Sequence, residues 1–132
     1  MAQDNRPLSP HLQIYRPQLT MVLSILHRLT GVMLSLGALV LVGWLTTATA
    51  GPEVYSAFIE YLSAPAGLII IAALSFCLFY HTLNGIRHLV WDSVRWFELK
   101  EVYATGWTVV IAALALTAWL WWYLLIAARS GS

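Results

Sequence analysis

The chain has 132 residues, of which 60% are hydrophobic and 10% charged, with a formal net charge of +1. Soluble domains carry about 25% charged residues, so this composition excludes a water-soluble globular domain. It leaves no room for a soluble catalytic domain, and with no basic run it gives no footing for a nucleic-acid partner.

Residues 1–20 form a polar N-terminal arm with Pro7 and Pro10 near its start. The arm is neither an apolar signal-peptide core nor followed by a cleavage motif, so the first helix is expected to be retained. Three stretches follow, 29–52, 61–86 and 107–128, with no Lys, Arg, Asp or Glu in any of them. Each reaches the roughly 20 apolar residues that cross a hydrocarbon core about 30 Å thick. Backbone amides in lipid must find partners within their own segment, and the alternation of a membrane barrel is absent, so all three are predicted to be helices. The expectation is an all-α membrane protein. Its transmembrane domain of three helices covers residues 21–130, with spans at about 24–48, 65–92 and 105–128.

The first span opens with Ser24-Ile25-Leu26-His27-Arg28-Leu29-Thr30-Gly31. At 100° per residue, Ser24, His27, Arg28, Gly31 and Ser35 share one stripe. A hydroxyl, an imidazole and a guanidinium on that stripe suit an anionic group or a carbonyl oxygen, and Gly31 lets a neighbour approach the backbone. Arg28 snorkelling to headgroups while His27 satisfies an adjacent helix would use the same residues. Gly51-Pro52 then breaks the chain, and the segment from about 49 to 61, with Glu53 and Glu60 but no Lys or Arg, is expected to be a loop.

The second span carries His81-Thr82-Leu83-Asn84-Gly85-Ile86-Arg87-His88, then Trp91-Asp92. His81, Asn84, Gly85, His88 and Asp92 share a stripe about three turns long. If the helix leaves the membrane near Asp92, His81 lies roughly 16 Å deeper at 1.5 Å per residue. An imidazole is too short to snorkel from there and needs a hydrogen-bonding neighbour or a metal. Neutral imidazole is a good axial ligand for haem iron. His88 lies two turns nearer water, with Arg87 or Arg28 to add charge and Asp92 to orient its ring. Cys77 is the single cysteine, so neither a disulfide nor a thiolate metal site is expected. Residue types alone leave a haem ligand, a proton relay and a packing histidine side by side.

The third span is flanked by Trp91, Trp96, Tyr103 and Trp107 at one interface and by Trp119, Trp121, Trp122 and Tyr123 at the other, an aromatic belt. Arg6, Arg16, Arg28, Arg87, Arg95 and Lys100, six of the seven Lys and Arg residues, fall on the N-terminal side of the membrane. The positive-inside rule makes that side the cytoplasm or the mitochondrial matrix, giving an N-in, C-out topology.

Three segments together resemble the cytochrome b subunit family of succinate dehydrogenase, the respiratory Complex II. They are Arg6-Pro7-Leu8-Ser9-Pro10-His11-Leu12 with Ile14-Tyr15, the Ser24–Gly31 segment, and the segment from His81 through Asp92. The form of the motifs is similar to the alphaproteobacterial and mitochondrial branch, and a bacterial cytoplasmic membrane is expected. The resemblance implies a membrane anchor forming half of a haem-binding bundle, paired with a second small anchor subunit and holding an iron–sulfur subunit and a flavoprotein subunit. It implies haem b shared with that second anchor, with His81 as this chain's axial ligand and His27, Arg28 and His88 around the propionates. It also implies a ubiquinone pocket lined by Ser24 and Arg28, with ubiquinone as the substrate. The anchor of a fumarate reductase and a haem-free structural anchor are the neighbouring alternatives. A proton-conducting subunit would need polar residues continuing to the outer face, where 32–45 and 112–116 are almost wholly apolar.

Overall fold

The computed structural model describes residues 17–130, and the arm motif at 6–15 lies outside them. Four helices follow in order: α1 Leu19–Ala50, α2 Pro52–Ser63, α3 Pro65–Asp92 and α4 Leu99–Ser130. Among the described residues there is no strand. The long helices α1, α3 and α4 are each long and apolar enough to cross a membrane. At 32 residues, α1 and α4 run about 48 Å at 1.5 Å per residue. Their ends therefore extend past a hydrocarbon core of about 30 Å.

The segment expected to be a loop after the first span is helical instead. Gly51 adopts φ +118°, a conformation that side-chain-bearing residues avoid, and this ends α1. Pro52 then occupies the first turn of α2, where its missing N–H costs nothing, and Glu53 sits at the positive end of the helix dipole. A second proline, Pro65, starts α3 the same way and holds Ala64 extended at ψ 153°. The sequence breaks the chain twice, at Gly51-Pro52 and at Pro65, and the twelve residues between the breaks have length enough for three helical turns.

The connection from α3 to α4 reverses direction through Val94 and Trp96, both with positive φ (59° and 63°). Ser93 N–H caps α3 on the Leu89 and Val90 carbonyls, and Val94 N–H donates to Trp91 O at 2.8 Å. Helix α3 is the centre of the bundle, packed on α1 along one side and on α4 along the other. The densest packing joins Leu23 of α1, Tyr80 of α3 and Val109 and Ala113 of α4, flanked by Leu19, Phe76, Phe79, Leu83 and Val110. Tyr80 reaches across to donate its hydroxyl to Leu23 O at 2.9 Å. An interhelical hydrogen bond of this kind suits a setting where apolar burial gives no net drive between helices.

Arg87 is the one cation buried among the described residues, at 3% exposure. Its Nε donates to Thr105 Oγ1 at 3.0 Å and its Nη2 to Val102 O at 2.8 Å, both on α4. The guanidinium also lies 4.0 Å over the Trp91 ring, a cation–π contact. Arg87 thus ties α3 to α4, with its guanidinium turned to the α4 side of His88. Helical geometry explains this, since Arg87 and His88 are adjacent and point about 100° apart.

Candidate functional site: a histidine layer between two helices

Near the α1 N-terminus and the α3 C-terminus, three imidazoles converge. His27 of α1 and His81 of α3 stack with ring centroids 3.9 Å apart and planes 7° from parallel. His88 lies 5.3 Å from His27 at 59°. Stacking requires the two helices to approach closely, and a glycine opposite each ring permits it. A Cβ on Gly31 would stand 3.0 Å from His81 Cε1, and one on Gly85 would stand 3.8 Å from His27 Cε1. Each histidine therefore lies over the glycine one turn beyond its stacking partner.

The hydrogen bonds decide the tautomer of His81. Its Nδ1 lies 3.1 Å from His27 O and 3.2 Å from Thr30 Oγ1. A carbonyl oxygen only accepts, so Nδ1 carries the proton. Thr30 in turn donates its hydroxyl to His27 O at 2.9 Å, which leaves its oxygen lone pairs for the imidazole. With Nδ1 protonated, Nε2 of the neutral ring carries a lone pair. Among the described residues Nε2 has no hydrogen-bond partner. This is the state in which a histidine binds a metal, with its other nitrogen donating to a backbone or hydroxyl oxygen.

His88 is oriented from the other side. Arg87 Nη1 approaches Asn84 Oδ1 at 3.5 Å, which turns the amide nitrogen of Asn84 towards His88 Nε2, also at 3.5 Å. Both contacts are long, but together they give one sense: Asn84 donates and His88 Nε2 accepts. Asn84 is fully buried. Asp92, expected to orient the same ring, ends α3 with an exposed side chain and makes no hydrogen bond to His88 among the described residues. His88 also meets the Trp91 ring edge-on at 5.2 Å. His27 Nδ1 is buried without a hydrogen-bond partner, an unusual state for a polar atom and one that a ligand at this layer would relieve.

The stripe read on α1 divides. His27 and Gly31 face α3, Ser24 is half-buried at the edge, and Arg28 and Ser35 are exposed. Ser24 and Arg28 have no hydrogen-bond partner among the described residues, so hydroxyl and guanidinium stand beside the histidine layer with their donors free. The structure brings His27, His81 and His88 together and leaves Ser24 and Arg28 next to them on the outer side. Thr30, buried at 6% exposure, is a member of the site that pattern reading passed over. Its signal was a hydroxyl one turn after His27, which in a helix bonds back to that residue's carbonyl. Among the described residues no three His, Cys, Asp or Glu side chains are grouped to hold a metal ion.

Residues 2–120 match the family model described as "Succinate dehydrogenase/Fumarate reductase transmembrane subunit". Among curated relatives, the succinate dehydrogenase cytochrome b556 subunit of Rickettsia felis is 41% identical over 118 residues, covering 89% of this chain and 92% of that protein. The cytochrome b556 subunit of Paracoccus denitrificans is 33% identical over 112 residues, 85% of this chain and 86% of the relative. The mitochondrial succinate dehydrogenase cytochrome b560 subunit of Mus musculus is 43% identical over 113 residues, 83% of this chain and 66% of the relative.

Proposed function

The chain belongs to the succinate dehydrogenase/fumarate reductase transmembrane-subunit family, and from that premise we propose that it anchors a succinate:ubiquinone oxidoreductase and holds one side of a haem b. Its N-terminus lies on the inner face of a bacterial cytoplasmic membrane, following the cationic bias around 6–28 and 87–100. A second small anchor subunit supplies the opposite axial ligand. An iron–sulfur subunit docks at the inner face, and a flavoprotein subunit oxidises succinate to fumarate, releasing two electrons and two protons.

The observation that carries the haem assignment is the pair of oxygens at His81 Nδ1, His27 O at 3.1 Å and Thr30 Oγ1 at 3.2 Å, from which we assign the proton to Nδ1 and the lone pair to Nε2, which has no partner among the described residues. The residues fit the group in two further ways. The Gly31 gap seats the imidazole. His27 Nδ1 is buried without a hydrogen-bond partner, so this layer has a polar atom that a further ligand would satisfy. Haem b supplies one-electron chemistry when bound. His27 and His88 would line the propionate side as neutral imidazoles, and the exposed Arg28 would offset its negative charge.

Ser24 and Arg28 serve the quinone. Ubiquinone takes up two electrons and two protons to become ubiquinol, and negative charge grows on its oxygens before protonation. A fixed guanidinium and a hydroxyl donor held at that place stabilise the charge as it develops. Both residues are in the first three turns of α1, at the face where electrons arrive from the iron–sulfur subunit.

The test is a dithionite-reduced minus oxidised visible spectrum of the purified complex, comparing wild type with His81→Ala. A b-type α-band present in the first and lost in the second is the expected result. An unchanged band in the variant overturns the assignment of His81.

A further inference from the structure

We propose that Thr30 is a positioning residue for His81, setting the electron-donor strength of its ring through a second acceptor on Nδ1–H. The inference rests on the reading of His81 as the haem ligand.

Three atoms form a closed triangle: Thr30 Oγ1 to His27 O at 2.9 Å, His81 Nδ1 to His27 O at 3.1 Å, and His81 Nδ1 to Thr30 Oγ1 at 3.2 Å. Thr30 is buried at 6% exposure, and among the described residues its hydroxyl has only these partners. It donates to the carbonyl, and this polarises its oxygen and strengthens it as an acceptor for the imidazole N–H. The N–H is thereby shared between two oxygens on one turn of α1. An N–H drawn towards acceptors makes the opposite nitrogen more basic, and a more basic axial ligand favours the oxidised iron. A merely space-filling threonine would affect packing and leave that balance alone.

Thr30→Val keeps the branched shape and removes the hydroxyl, Thr30→Ser keeps the hydroxyl, and Thr30→Ala removes both. The complex of each variant is purified, its haem-to-flavin ratio measured, and its haem midpoint potential read by redox titration of the α-band. Thr30→Val is expected to retain haem and to shift the iron equilibrium towards the reduced form by up to about tenfold, which for a one-electron couple is about 59 mV. Thr30→Ser is expected to titrate close to wild type. If Thr30→Val does not assemble, Thr30→Ala carries the same expectation. Equal potentials in Val, Ala and Ser variants overturn it while His81→Ala still abolishes the band. So does failure of all three to assemble, which makes Thr30 a packing residue only. A His81→Ala complex that keeps the wild-type band fails the underlying ligand reading instead.

Discussion

Gly31 and Gly37 present the same steric problem to an added methyl, with different expected outcomes. A Cβ at Gly31 stands 3.0 Å from His81 Cε1 and 3.6 Å from Nδ1, while one at Gly37 stands 3.0 Å and 3.3 Å from the two Leu74 methyls. Leu74 is half-buried and ends in freely rotating carbons, so it yields by changing rotamer. His81 cannot, because Nδ1 is tied to two oxygens and its ring rests on His27 at 3.9 Å. Overpacking costs about 1–3 kcal/mol, and replacing glycine by alanine within a helix returns up to about 1 kcal/mol. Because His81 cannot yield, the upper part of that range, about 2–3 kcal/mol, applies, and Gly31→Ala should weaken the histidine layer by about 1–2 kcal/mol net, roughly five- to thirtyfold in haem affinity at 1.4 kcal/mol per decade. Gly37→Ala should be neutral or slightly stabilising. Haem per flavin in the two purified complexes, followed through a dilution series in detergent, reads the difference. Equal haem loss in both variants, or full retention in Gly31→Ala, would refute the reasoning.

Arg87→Met should loosen α4 from α3. The two charge-assisted hydrogen bonds to α4, each worth about 1.5–3 kcal/mol, are lost together with the longer one to Asn84, and the loss is partly offset by removing a desolvated charge, leaving a net loss of about 2 kcal/mol. The thermal midpoint of the complex should fall, with Arg87→Lys restoring it only in part because an ammonium lacks the flat guanidinium face that stacks on Trp91; an unchanged midpoint in Arg87→Met would contradict the tie. Arg28→Leu should impair ubiquinone reduction while succinate oxidation with a soluble dye acceptor continues. Loss of both activities in an assembled complex would remove Arg28 from the quinone pocket.

The three long helices were legible because lipid imposes one rule, an uncharged stretch of about 20 residues with its backbone bonded internally. The meeting of His27 with His81 was partly legible. Helical period puts His81, Asn84, Gly85, His88 and Asp92 on one stripe, and the structure sets His81, Gly85 and His88 against His27 of α1, buries Asn84 beside His88 and Arg87, and leaves Asp92 exposed. Period could not say which neighbour each flank of a stripe meets. Arg87, one residue from His88, turns to Thr105 on α4, and Arg28, one residue from His27, turns outward. Those choices follow from where three helices sit in space. The same holds for Thr30, whose role depends on His81 arriving from 51 residues away. Segment α2 escaped a reading tuned to membrane spans, because twelve residues between Gly51 and Ala64 are too few to cross a bilayer yet enough for an amphipathic helix.

The central claim is that the imidazole at position 81 binds the haem through its free nitrogen, and chemical rescue tests it most directly. His81→Gly removes the side chain and leaves a space beside His27 that free imidazole fits. The purified His81→Gly complex is expected to lack a b-type α-band and to recover it when haem and imidazole are supplied together. A band that persists in His81→Gly without imidazole, or that disappears instead in His88→Gly, would contradict it.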